Sequence, residues 1–347
     1  MLRLLIDTSE FQSGQRTGIG QFLYNFLDYW SAVVPDNAEL ALWPACPEPL
    51  AQQLGSPPVY GKLSEAIKSF RPTVFFSPSY KLPSSVVRAG IPSISTVHDT
   101  GFATFRPYWR GHTYQFIARQ RLKYFFEKAT AIFAVSEQTR DEIKALNRAV
   151  PDEKISVIYN TLPSPDWDEA DKEDIYLTVT NFKPHKNTVF AGQALAAMRT
   201  ETKPKWVVIG PGGEFRRQFL KDIQPLSGQL EIDLHEDVDR ETLWSWYRRA
   251  RWFLYPSLYE GFGLPPAEAL TAGCQVVINR LPVFEEMFVP DLVHFCRTND
   301  MADWLEALDS KPRALAADAI MEEFMPRFLL TRWGHAMMEV LRDVGGG

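Results

Sequence analysis

Apolar positions along the chain fall into two alternating patterns. Short, nearly continuous runs at 2–6, 73–76, 91–97, 131–135 and 155–158 have the length of buried strands and are bounded by Gly, Pro, Asp or Ser. A second series follows at 175–179, 206–209, 252–255 and 274–278. Amphipathic stretches lie between many of these runs, as where Ile19, Phe22, Leu23, Phe26, Leu27 and Trp30 recur at helical spacing. Alternation of this kind predicts parallel sheets covered by helices. The segment 163–174 is acidic, polar and interrupted by proline, and it separates the two series. The pattern therefore predicts two α/β domains of similar size, with no repeat, coiled coil or low-complexity tract beyond the final glycines. Such sheets bind ligands at the carboxyl ends of their strands. Two of them facing each other would form a cleft, which directs attention to the residues just after each strand.

Composition narrows the class. The 347 residues are 45% hydrophobic and 23% charged, so the chain can bury a large core and is not disordered over its bulk. The apolar runs are too short for a transmembrane helix. The N-terminus meets an acid at Asp7 after six residues, which reads as a first strand and not as a signal peptide. Cys46, Cys274 and Cys296 are far apart, with neither a disulfide framework nor metal-ligand spacing, so a reducing cytoplasm is expected. The net charge of −6 is uneven: residues 1–165 carry 17 Lys and Arg against 14 Asp and Glu, and residues 166–347 carry 20 against 29. An acidic chain of this kind is a poor general nucleic-acid binder, and no nucleic-acid partner is expected.

Several loops could carry chemistry. Thr17-Gly18-Ile19-Gly20 leads from the first strand into a helix, where the backbone can approach an anion closely; it reads equally as a simple glycine turn. His98-Asp99-Thr100-Gly101 follows a strand, so the imidazole could donate to a sugar hydroxyl or a phosphate, while Asp99 could serve only to close a turn. Trp206 to Gly213 is a strand ending in a glycine loop. Asn181-Phe182-Lys183-Pro184-His185-Lys186-Asn187 places two lysines and a histidine at a strand mouth, an anion site or a solvated loop.

The most informative segment runs from Tyr255 to Ala269 and contains Glu260-Gly261-Phe262-Gly263-Leu264-Pro265-Pro266-Ala267-Glu268. Two glutamates stand eight positions apart around a glycine turn. The turn would present backbone N–H groups at the positive end of the helix that starts there, which suits a phosphate. Glu268, expected in the first helical turn, could accept hydrogen bonds from a vicinal diol such as a ribose. Glu260 could hold hydroxyls beyond the phosphate. Together these describe a nucleotide-sugar.

This segment resembles the signature of glycosyltransferase family 4, retaining enzymes of the GT-B fold. The resemblance continues through Leu243 to Ala250, Phe253 to Ser257 and Ala272 to Val277. In the first half, Thr17 to Gly20, Val97-His98-Asp99 and Ala134 to Thr139 resemble the bacterial mannosyltransferase-like branch, as does Lys183-Pro184-His185-Lys186-Asn187. The resemblance implies two Rossmann-like domains facing across a cleft: 1–165 for the acceptor, 166–327 for the nucleotide-sugar, and a C-terminal helix, 328–347, crossing back to the first. It implies that Lys186 neutralises the donor diphosphate and that Asn181 and Lys183 flank it, although many members carry an Arg where Asn181 or Thr180 stands. Backbone at Gly18, Gly20 and Gly261 to Leu264, Phe262 and Gly263 included, would touch phosphate or sugar. Glu260 would hold the sugar hydroxyls, Glu268 the ribose, and His98 would lie near the reacting carbon. Asp99 and Arg106 would meet the acceptor. No metal or other cofactor is expected, because lysine and helix dipoles meet the diphosphate charge.

The stretch from Phe102 to Thr130 holds nine aromatic residues and six Lys or Arg against the single acid Glu127. Such a stretch suits an anionic membrane surface, and suits equally a helix whose face with Tyr114, Ala118, Leu122 and Phe125 enters the core. The expectation is a transferase that moves a hexose, with GDP-mannose as the leading donor, to a glycan or lipid-linked glycan in the cytoplasm or at the membrane face. GDP-fucose, UDP-sugars and a non-catalytic scaffold of the same fold are the other readings.

Overall fold

The computed structural model describes residues 1–13, 18–33, 37–105, 112–165, 167–168, 171–313 and 315–346. The chain forms two compact units. One comprises Met1–Thr104, Arg110–Thr161 and Arg327–Gly347; the other comprises Phe105–Trp109 and Leu162–Pro326.

The first unit is built on a six-stranded parallel sheet. Its strands are β1 (Leu2–Asp7), β2 (Ala38–Trp43), β3 (Val74–Ser77), β4 (Ser93–Val97), β5 (Ala131–Ala134) and β6 (Ile155–Val157), in the order β2-β1-β3-β4-β5-β6. Leu4 pairs with Leu40 on one side and Val74 on the other. Strands β3 and β5 and the Leu4–Ile6 part of β1 are apolar on both faces because both faces are covered, which is why they read as continuous hydrophobic runs, while β4 also buries Ser93, Ser95 and Thr96. Helix α1 (Gly18–Val33) and the C-terminal helix (Leu330–Gly345) cover one face. Phe22, Phe26, Trp333, Met337 and Leu341 pack there over Leu4, Ile6, Val74 and Phe76. Helix α2 (His112–Lys128) covers the other face, burying Ala118, Leu122, Phe125 and Phe126 against Val97, Ile132 and Ala134. The last segment of the chain thus completes the first unit, and Thr161 Oγ1 donates to the Phe328 carbonyl at 2.7 Å.

The second unit repeats the plan. Strands β7 (Glu173–Val179), β8 (Lys205–Gly210), β9 (Glu231–Glu236), β10 (Ala250–Tyr255), β11 (Gln275–Asn279) and β12 (Val293–Cys296) run parallel in the order β12-β11-β10-β7-β8-β9. Five helices bear on its site: α3 (Thr188–Ala197), α4 (Glu214–Ile223), α5 (Arg240–Arg249), α6 (Leu264–Thr271) and α7 (Pro282–Met287). Trp206, Trp304, Phe219, Leu195 and Leu254 fill one side of the sheet. Strand order reverses between β7 and β10, so the loops after these two strands flank the switch point where open α/β sheets bind ligands.

Three strands, β2, β9 and β12, are absent from the hydrophobic pattern. All three are sheet edges. An edge strand is partly wet, so β9 mixes Glu, Asp and His with Ile and Leu and leaves no apolar run. The polar segment before β7 also departs from its composition. Lys172 is buried, and its Nζ donates to the carbonyls of Tyr247 (3.1 Å), Ala250 (3.1 Å) and Ala272 (2.6 Å). These carbonyls close the C-terminal ends of α5 and α6, where helix carbonyls lack partners and a cation is favoured.

Candidate functional site

The two loops at the switch point of the second unit are built to hold each other. After β7, Thr180 Oγ1 accepts from the Phe182 N–H (3.1 Å) and Asn181 Oδ1 from the Lys183 N–H (3.2 Å). Phe182 reverses the chain at φ +57° and packs its ring on Phe219. A single turn, Pro184–Lys186, follows. The His185 carbonyl then accepts from the Leu258 N–H (2.7 Å) and from Ser257 Oγ (3.2 Å), which pins this loop to the one after β10. Beneath, Asn279 Nδ2 donates to the carbonyls of Pro256 and Ser257, and Asn279 Oδ1 accepts from Trp304 Nε1. His185 itself is a core residue: burial, with Lys186 and Lys183 nearby, lowers its pKa to about 2.

Lys186 stands at the centre. Its Nζ lies 2.6 Å from Glu260 Oε1 and donates to Tyr255 Oη at 2.7 Å. The Lys186 and Glu260 side chains are only 11% and 10% exposed, so the pair is largely desolvated and each charge depends on the other. Gly261, Phe262 and Gly263 lead from Glu260 into α6. Gly263 has φ +96°, and a Cβ there would lie 2.5 Å from the Phe284 ring, so only glycine fits. Helix α6 starts at Leu264, with Pro265 and Pro266 in its first turn, where proline's missing N–H costs nothing. Glu268 therefore lies in the second turn, not the first as the sequence suggested. Its Oε2 accepts from Tyr247 Oη at 3.3 Å. Burial raises its pKa to about 7 against the pull of Arg240 and of the Tyr247 hydrogen bond.

In the first unit, Gly18 and Gly20 occupy the first turn of α1, and Thr17 lies outside the described residues. His98 follows β4. Its Nε2 is 2.7 Å from the Pro78 carbonyl, which can only accept, so Nε2 carries the proton. Burial lowers the His98 pKa to about 4. The ring is neutral at pH 7, and Nδ1 offers a lone pair. The sequence suggested an imidazole that donates to a sugar hydroxyl or a phosphate; in the structure the Nε2 proton goes to the Pro78 carbonyl. Asp99 Oδ1 accepts from the Gly101 N–H at 2.9 Å and closes a turn. Arg106 lies outside the described residues.

The structure thus gathers Asn181, Lys183, Lys186, Glu260 to Leu264 and Glu268 around one switch point. It puts Gly18, Gly20, His98 and Asp99 beyond the carboxyl ends of β1 and β4. Sequence reasoning gave no role to Tyr255 and Tyr247, which read as strand and helix residues, and did not single out Asn279, one residue beyond the predicted strand 274–278. It also missed Asp7, which ends β1 buried and accepts from the Ser9 N–H at 2.9 Å. Among the described residues, no group of His, Cys, Asp or Glu is arranged to hold a metal ion, and no helix is long and apolar enough to cross a membrane.

Known proteins share both halves. Residues 31–163 match the model of Glycosyltransferase Family 4, and residues 163–310 match that of Glycosyl transferases group 1. The O-antigen chain mannosyltransferase RfbU of Salmonella typhimurium is 27% identical over 67% of this chain and 64% of its own length. The O-antigen chain mannosyltransferase B of Escherichia coli is 25% identical over 64% of this chain and 61% of its own. The matched region is thus less than two thirds of either relative. Among solved structures, Anabaena HepE in complex with UDP and glucose superposes with a TM-score of 0.70 over 99% of this chain and all of that one, at 16% identity, which shows the shared GT-B fold. The two adjoining family matches, the fold and the Glu260 to Glu268 segment agree: the chain belongs to glycosyltransferase family 4.

Proposed function

We propose that this chain is a retaining glycosyltransferase that moves a hexose from a nucleotide-sugar, mannose from GDP-mannose in the leading form, to a glycan or lipid-linked glycan without a metal ion. The observation that carries the reading is the buried Lys186–Glu260 pair beside the start of α6 at the switch point. A cation and backbone N–H groups face the place where a diphosphate would sit, with a carboxylate next to them for sugar hydroxyls. The mannose assignment draws on the two O-antigen relatives.

In this reading Glu268 holds the ribose, and the loop carrying Asn181 and Lys183 borders the diphosphate. The bond from the sugar's anomeric carbon to the diphosphate oxygen breaks. The acceptor hydroxyl bonds to the same face, and its proton passes to the departing phosphate oxygen. Lys186 and the amides of Gly261 to Leu264 offset the charge that develops on the leaving group. His98 Nδ1 accepts from a sugar hydroxyl, Gly18 and Gly20 leave backbone accessible to the donor, and Asp99 and Arg106 serve the acceptor. The enzyme works in the cytoplasm, at the inner membrane face. Support for a membrane contact comes from α2, whose exposed side carries Phe116, Ile117 and Tyr124 among Arg121, Lys123 and Lys128.

Thermal shift and calorimetry with GDP, UDP, ADP, dTDP and their sugars, without metal, test the donor. A shift selective for GDP and GDP-mannose, lost in Glu268→Ala, is the expected result. A shift with UDP-sugars instead would keep the class and replace the donor. No shift with any nucleotide would overturn the reading. It would favour a non-catalytic scaffold, to which Asn181 points because it stands where many family members carry Arg. A scaffold would keep its function in Lys186→Ala and Glu260→Ala.

A further inference from the structure

We propose that Tyr255 is the positioning residue of Lys186: its hydroxyl, fixed by the packed ring, holds the ammonium in place while Glu260 turns from the lysine to the sugar hydroxyls. The proposal rests on the donor-site reading above and adds a residue to it.

Tyr255 is the last residue of β10 and is 2% exposed. Its ring is stacked on Phe253 at 5.9 Å and tilted against Phe284 at 6.2 Å. Phe284 in turn occupies the space that a Cβ at Gly263 would need. The phenol is thus wedged between its own strand and α7, and the same wedge shapes the glycine turn. Against this fixed ring lies Lys186, a compact charge on a flexible four-carbon stem with three N–H donors. Two of the three are taken, one by Glu260 and one by Tyr255 Oη, and the ammonium also sits 5.1 Å from the Tyr255 ring centroid.

The two partners do different work. Glu260 neutralises the ammonium. A donor diphosphate competes for that same positive charge, and the donor sugar competes for the carboxylate, so the ion pair is the contact that ligand entry weakens. Tyr255 attracts the ammonium through a lone pair of its hydroxyl without cancelling its charge. It can therefore keep Lys186 at the switch point with its charge still available to phosphate. Packing alone does not call for the hydroxyl: Phe253, two residues earlier on the same face, fills the same kind of site with a bare ring.

Tyr255→Phe keeps the ring and removes the oxygen. Calorimetry would compare GDP, UDP and ADP with the matching nucleosides. Expected is a loss of roughly 10- to 150-fold for the diphosphate that wild type binds, the worth of one hydrogen bond to a charged group. The nucleoside should be unaffected, and the substitution should add nothing in a Lys186→Gln background. Wild-type diphosphate affinity in Tyr255→Phe would overturn the proposal. So would an equal loss on nucleoside and diphosphate, or an undiminished loss in Lys186→Gln, since both describe a merely structural tyrosine. If wild type binds no nucleoside diphosphate, the donor reading has failed and Tyr255 is judged by Lys186 alone. Its acylation rate, followed by mass spectrometry, should then rise in Tyr255→Phe, and an unchanged rate would overturn the proposal.

Discussion

At Lys186 and Glu260 two charges share a nearly dry site, and each is costly without the other. Lys186→Met strands the carboxylate and should destabilise the chain by about 3–5 kcal/mol in urea unfolding, whereas Lys186→Met with Glu260→Leu should recover most of that loss. Glu268 predicts a pH dependence. Its pKa of about 7 stands above the roughly 4.3 of an unfolded glutamate, so the folded chain holds this proton more tightly. The stability it contributes is complete below about pH 4 and is lost as pH rises to about 7. Melting temperature should therefore decline across that window less steeply in Glu268→Gln than in wild type. Because a ribose diol donates to a carboxylate, nucleotide affinity should rise as pH passes 7 and stay flat in Glu268→Gln. At Gly263, Gly263→Ala faces both a left-handed backbone and the Phe284 ring. About 1–3 kcal/mol of strain is expected, read as a lower denaturation midpoint.

Helix α2 separates two demands on one element. Its inner face, Ala118, Leu122 and Phe125, is buried at i, i+4 and i+7, while Phe116 is 63% exposed on the outer side. Leu122→Ala should cost about 2–5 kcal/mol. Phe116→Ser should change stability by no more than about 0.5 kcal/mol. If the outer face meets lipid, Phe116→Ser should lower co-sedimentation with anionic vesicles several-fold. Equal sedimentation of wild type and variant would remove the membrane from the proposal. Strands β1, β3 and β5 and helix α1 were legible because both faces of the sheet are covered and their apolar positions are dense. Edge strand β9 was not, because it is wet along its length and mixes Glu, Asp and His with Ile and Leu; β2 and β12 are largely buried, but Glu39 and His294 interrupt runs that are only six and four residues long.

For the whole molecule, the telling feature is that Arg327–Gly347 belongs with the first unit although it follows the second in sequence. Trp333 packs on Phe22 and Phe26, and Gly334 lets the C-terminal helix approach the ring of Tyr29. Removing residues from Arg327 onward should strip hydrogen-exchange protection from β1, β3 and β4 while β7, β10 and β11 keep theirs. Uniform loss across both sheets would show that the two units are not separately stabilised. From sequence alone came the α/β class, most of the inner strands, and the segment from Glu260 to Glu268, since these depend on local periodicity and on glycine and proline placed a few residues apart. The sequence could not tell that Lys172, in an acidic linker, is buried on three carbonyls, that the His98 Nε2 proton goes to the Pro78 carbonyl, or that Tyr255 Oη accepts from Lys186. Each of these is a pairing across tens of residues, decided by which loops the parallel strand order brings to the same end of a sheet, and no spacing along the chain encodes it.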